Sequence, residues 1–167
     1  MKRIMSCLAL VTLALFTSAA FAQDPTPVQQ PASAQDPTPV QQPAPAQEPT
    51  LTSVGAKFDT TTDDKNSDSK LDVYIKTSDG QEVAKSEGNA GRWNNNSTHT
   101  LTLQVEGNPT KGAVANGSVT LTFHPHGADK WEFNYKVTLK FSDDSFLTKE
   151  FNGCTLTQHD PGRTDSL

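Results

Sequence analysis

From Trp131 to Phe141 the chain alternates without a break. Trp131, Phe133, Tyr135, Val137, Leu139 and Phe141 take every second place, and Glu132, Asn134, Lys136, Thr138 and Lys140 fill the gaps. A helix would scatter these apolar groups around its whole circumference, whereas a strand puts all of them on one face. The stretch can keep its rings out of water in one way, by lying as a strand with one side on a core. The same period recurs in Leu71-x-Val73-x-Ile75, Leu101-x-Leu103-x-Val105 and Val119-x-Leu121-x-Phe123, with Thr frequent on the opposite face. Threonine suits the exposed side of a strand. Val54 to Phe58 opens the set, and Leu147 to Phe151 and Thr155 to Thr157 close it. Between these runs fall turn formers: Ser78-Asp79-Gly80, Glu106-Gly107-Asn108-Pro109, Ala115-Asn116-Gly117 and Ser142-Asp143-Asp144. No stretch has a helical period. The pattern predicts an all-β fold, an antiparallel β-sandwich of about seven to eight strands in two facing sheets, formed by residues 51–167. Trp131 is expected in its core, with a hairpin turning at Ser142 to Asp144.

The segment before this domain has a different character. Lys2 and Arg3 precede an apolar run from Ile4 to Phe16, and Ala20-Phe21-Ala22 offers small residues where a signal peptidase cleaves. Residues 1–22 are predicted to be a signal peptide of bacterial type, and the protein to be secreted or periplasmic, with no transmembrane segment once the leader is removed. The alternative is an uncleaved anchor from Ile4 to Ala22, close to the ~20 residues that a bilayer demands. Residues 23–50 repeat themselves: Ala-Gln-Asp-Pro-Thr-Pro-Val-Gln-Gln-Pro-Ala begins at Ala22 and again at Ala34, and Ala-Gln-Glu-Pro-Thr begins at Ala46. So many prolines and so few bulky apolar groups predict a disordered Pro/Gln-rich linker that samples extended conformations.

Charge and cysteine usage exclude several classes. The chain carries a formal net charge of -5, and loss of a leader holding Lys2 and Arg3 makes it more acidic still. A nucleic-acid partner is not expected, because phosphates demand clustered Lys and Arg. Without the leader Cys154 is the remaining cysteine, so an internal disulfide is impossible and the domain must be held by its core. A lone thiol near a strand end reads as a small buried hydrophobe.

Five aspartates crowd the stretch from Phe58 to Ile75. Asp64, Asn66 and Asp68 fall at the first, third and fifth places of an oxygen-ligand calcium loop, and Asp72 at the ninth. Asp63 adds a further carboxylate. A weak calcium site formed by Asp63, Asp64, Asn66, Asp68 and Asp72 is the expectation, although Ser69 stands where such loops carry glycine and Ile75 where they carry a bidentate Glu. The alternative is a solvated turn region that Lys65 and Lys70 partly neutralise. Trp93, with Arg92 and Asn95, would make a sugar platform, because an aromatic face beside hydrogen-bonding groups is what a pyranose ring needs; the alternative is a tryptophan tucked over a sheet edge. His124 and His126 lie on one face of a strand, with His99 and Asp129 as further candidates for zinc, or they simply continue the exposed face of Thr120 and Thr122.

The run Thr61-Thr-Asp-Asp-Lys-Asn-Ser-Asp-Ser-Lys-Leu-Asp-Val-Tyr-Ile75, with Asp129-Lys130-Trp131-Glu132-Phe133, resembles the PLAT (polycystin, lipoxygenase, alpha-toxin) β-sandwich. Asp63, Val73, Tyr74 and Ile75 fall on its polar loop and second strand, and Trp131 on its Asp-x-Trp strand. Lys70 and Thr62 depart from it, at a loop aspartate and at the turn glycine. The resemblance implies an eight-stranded sandwich that binds lipids or protein partners, often with calcium in this loop.

Catalytic signatures such as Gly-x-Ser-x-Gly and His-Glu-x-x-His do not occur. The chain is therefore expected to be a non-catalytic exported module, monomeric, for a protein, lipid or glycan partner. The alternatives are a structural cell-envelope protein with a Pro-rich spacer, and a carbohydrate-binding module.

Overall fold

A computed structural model describes residues 46–167; the expected leader and the repeat before Ala46 lie outside the described residues. Eight strands follow one another: β1 (Leu51–Thr60), β2 (Lys70–Lys76), β3 (Glu82–Asn89), β4 (Thr98–Val105), β5 (Ser118–His124), β6 (Lys130–Phe141), β7 (Phe146–Thr157) and β8 (Gly162–Ser166). One short helix, α1 (Lys111–Ala115), links β4 to β5. All pairings are antiparallel, in the order β7-β6-β1-β4-β3-β2-β5-β8. The domain is thus one continuous sheet rather than two. It curls almost into a barrel, and the seam between its halves is thin: β3 and β4 share the residue pairs Ala84 with Val105 and Lys85 with Gln104.

The alternating runs became strands with their apolar sides inward. Phe58 sits opposite Tyr135 in register, and the rings of Trp93, Trp131, Phe133 and Tyr135 lie 5.5 to 5.9 Å from its centroid. Trp131 is fully buried, and its indole N–H donates to the Thr60 hydroxyl at 3.1 Å, which satisfies the one polar group of that ring. The hairpin between β6 and β7 turns at Ser142 to Asp144: Phe141 N–H donates to Ser145 C=O, and Asp144 takes a left-handed φ of 60°.

Three elements had no readable pattern. In β3 a bulge against β2 turns the consecutive residues Val83 and Ala84 both inward, so the period of two is lost. β8 contains no apolar residue. Its inward positions, Arg163 and Asp165, oppose Leu121 and Val119 in register and form a two-bonded ion pair at 2.5 and 2.8 Å, with Asp165 also accepting the Tyr135 hydroxyl at 2.5 Å. α1 is too short to show a period; the Thr110 hydroxyl caps it by accepting from Ala113 N–H. The two runs read as closing segments are one strand, β7. A bulge at Gly153 (φ 63°), whose N–H donates to the Asn134 side chain at 2.8 Å, shifts its inward positions from Leu147 and Phe151 to Cys154 and Leu156.

The tail joins the fold before Leu51. Lys111 N–H donates to Pro49 C=O, Leu51 N–H to Pro109 C=O, and the Glu48 carboxylate accepts from Gly112 N–H.

Candidate functional site

The loops 61–69, 90–97 and 125–129 meet at one end of the barrel, because β1, β3 and β5 run toward that end and β2, β4 and β6 leave it. The Asp-rich loop is held there by backbone bonds. Lys65 and Trp93 exchange N–H and C=O at 3.1 and 3.0 Å, Gly91 N–H donates to Ser67 C=O, and Glu132 N–H donates to Asp63 C=O. Asn66 N–H donates to the carboxylate of Asp129, which is only 6% exposed.

At the centre of this knot is Lys65. Its side chain is fully buried, and its ammonium donates to the carbonyl oxygens of Ser69 and Gly91, each at 2.7 Å, and more weakly to Asn66 at 3.4 Å. The Trp93 ring lies 5.2 Å from the same nitrogen. Burial pulls the Lys65 pKa down to about 8, while the charges of Asp129 and Asp68 hold it up.

The five candidate calcium ligands are distributed among different partners. Asp63 pairs with Lys130 at 2.8 Å, Asp64 with Arg92 at 2.5 Å, Asp68 with His126 at 2.8 Å, and Asp72 with His124 at 2.7 Å. Asp72 also accepts Gly88 N–H at 2.6 Å. Asn66 engages this centre through its backbone. Lys130 bridges onward to Glu132, which accepts the Thr62 hydroxyl; these bonds hold the Glu132 carboxyl below the usual range. Among the described residues, no three His, Cys, Asp or Glu side chains converge as metal ligands would.

Trp93 is core, not platform. It is 5% exposed, stacked on His99 at 4.6 Å and edge-on to Trp131 at 5.2 Å, so the sugar-stacking face expected of it is covered. Arg92 and Asn95 point outward on the rim. The histidines do not share a site: His99 faces Trp93 and Ser97, whereas His124 and His126 each hold their own aspartate.

Sequence reasoning missed Lys65 and Asp129 as the organising pair. A lysine inside a run of acids reads as neutralising surface charge, and no spacing distinguishes the buried one. Away from this end, a concavity of about 160 Å³ lies on the outer face of β1, β6 and β7 among Lys57, Asp59, Asn134, Lys136, Glu150 and Asn152. No protein-family model matches the chain, and a search of curated proteins finds no match. The chemistry of the loop end carries the functional reading.

Proposed function

We propose that the chain is an exported, non-catalytic binding module that presents the end formed by loops 61–69, 90–97 and 125–129 to a protein partner. The observation that carries this reading is the tying of the three loops through Lys65, Trp93 and Asp129, which fixes their shape before any partner arrives. A preorganised surface loses less entropy on binding. Around it stand the ion pairs of Asp63 with Lys130 and Asp64 with Arg92, and the contact of Asp68 with His126. Exposed pairs of this kind hold one another by only ~0–1 kcal/mol, so a partner's charges can replace them cheaply while fixing its orientation. A bilayer would call for apolar side chains at this end; Phe146, the exposed large apolar residue among those described, lies at the opposite end beside the β6–β7 turn. Catalysis is disfavoured by the state of the available groups. Cys154 is buried and burial pushes its pKa up, the reverse of what a nucleophile needs.

The test is site-specific photo-cross-linking of the full chain in its native compartment, with the probe at Asn95 or, on the outer face of β7, at Thr148. A discrete adduct from Asn95 that disappears on Arg92→Glu is expected. Equal adducts from both positions, or none from Asn95, would refute the assignment, and sedimentation with lipid vesicles instead would point to a membrane.

The outer concavity favours a glycan as the second reading, because the amides of Asn134 and Asn152 and the carboxylates of Asp59 and Glu150 are the polar groups that sugar hydroxyls pair with. Loss of glycan-array binding on Asn152→Ala, with unchanged binding on Arg92→Glu, would favour it over the first.

A further inference from the structure

An acidic loop like 61–69 offers oxygen atoms to a hard cation, and here those oxygens already face one. The carbonyls of Asn66, Ser69 and Gly91 surround the Lys65 ammonium at 3.4, 2.7 and 2.7 Å. The carboxylates of Asp129 and Asp68 are near enough to act on its charge. Backbone carbonyls backed by carboxylates are the shell that calcium takes in extracellular modules. The occupant, however, belongs to the chain. Lys65 is fully buried, its backbone is fastened on both sides to Trp93, and its three N–H donors match the three carbonyls. A divalent ion entering the same space would meet this positive charge at close range; Asp68 is also bonded to His126, and Asp64, Asp63 and Asp72 are taken up by Arg92, Lys130 and His124.

We propose that Lys65 is the resident cation of this loop end, joining 61–69 to 90–93 as a bound metal would, so that the loop is ordered without calcium. A ligand that must be recruited from solution makes a surface conditional on its concentration; a tethered ammonium does not. The inference is independent of which partner the surface meets, and its failure would leave the binding reading standing with a metal in it.

The experiment is thermal unfolding of the full chain in a chelator and in about 5 mM calcium, well above the ~10⁻⁴ to 10⁻³ M at which extracellular calcium modules are half-filled. The two midpoints are expected to coincide. A calcium-dependent rise of a few degrees, the size that mass action gives for a ligand at several times its Kd, would overturn the proposal. Lys65→Ala supplies the converse. Its midpoint should fall, and ethylammonium should restore part of the loss where tetramethylammonium at equal ionic strength does not, while the unsubstituted chain responds to neither. Equal response to both amines would overturn it as well. Should Lys65→Ala fail to fold, reductive methylation of the unsubstituted native chain gives the answer by mass spectrometry: Lys65 is expected to stay unmodified while Lys57 and Lys130 react, and methylation of Lys65 at their rate would refute its enclosure.

Discussion

Replacing Asp165 by alanine tests how the open side of the barrel is closed. β7 and β8 are the two edges of the sheet, and Tyr135, Arg163 and Asp165 fill the space inside β8. Asp165→Ala removes the acceptor of the Tyr135 hydroxyl, a residue 2% exposed, and the partner of Arg163, whose side chain is 32% exposed. An unsatisfied buried hydroxyl costs ~1–3 kcal/mol. The arginine can still turn toward water, so its share is smaller, and the whole loss should be about 2–4 kcal/mol. In urea denaturation followed by tryptophan fluorescence, this appears as a lower midpoint at unchanged slope. The same reasoning makes a stronger demand on the triple variant Tyr135→Phe, Arg163→Leu, Asp165→Val. With donor and acceptor both gone and apolar groups in their place, most of the stability should return, since a buried polar cluster is replaceable by well-packed hydrophobes at little or no cost. The charges that keep β8 from pairing with another chain are then also gone, so the triple variant should associate on size-exclusion chromatography. A loss under about 1 kcal/mol for Asp165→Ala, or a triple variant as unstable as the single, would refute the argument.

Gly117→Ala should destabilise by several kcal/mol or prevent folding, because a Cβ there would stand 2.0 Å from the Lys76 carbonyl oxygen; the midpoint in urea measures it. Cys154 should resist thiol reagents in the native chain and react at once in denaturant, which a colorimetric thiol assay follows. Tyr135 makes a prediction about alkali. Burial and the Asp165 bond raise its folded pKa well above the ordinary value of 10.0, so above pH 10 the unfolded chain loses this proton while the folded chain keeps it. Its contribution is full below pH 10 and drains away as the pH rises, by up to about 1.4 kcal/mol per pH unit, and Tyr135→Phe should lessen that slope, leaving the part due to Tyr74, whose pKa is raised as well. Lys65 acts in the opposite sense from pH 8 to 10.5, because its folded pKa of about 8 lies below the ordinary 10.5; the rise is read between pH 8 and pH 10, before the tyrosines titrate in the unfolded chain.

How much was legible depended on whether a residue's role follows from its neighbours in the chain. The strands β1 from Val54 onward, β2, β4, β5 and β6 were readable because each turns every second residue toward the core, fully buried in most and half-buried at Leu101 and Val105. β3 and β7 contain bulges that break the phase, so the first was missed and the second read as two pieces. β8 was invisible because an edge strand that guards itself with inward charge has no apolar pattern to show. At the candidate site, the acidic loop was found but not its partners. Arg92, His124, His126 and Lys130 come from other loops and strands, and nothing in the spacing of the aspartates tells which partner each will meet.

The sequence by itself determined an all-β domain, the core rings carried by its alternating strands, and the turns that join β2 to β3 and β6 to β7, because periodicity and turn chemistry are local properties of a chain. Only the tertiary structure decided that the two halves are one curled sheet, that Trp93 faces inward, and that Lys65, alone among the charges of its loop, gives up water for three backbone carbonyls. Burial of a charge is worthwhile only where oxygen donors from distant segments have been brought around it, and those distances exist after folding and not before.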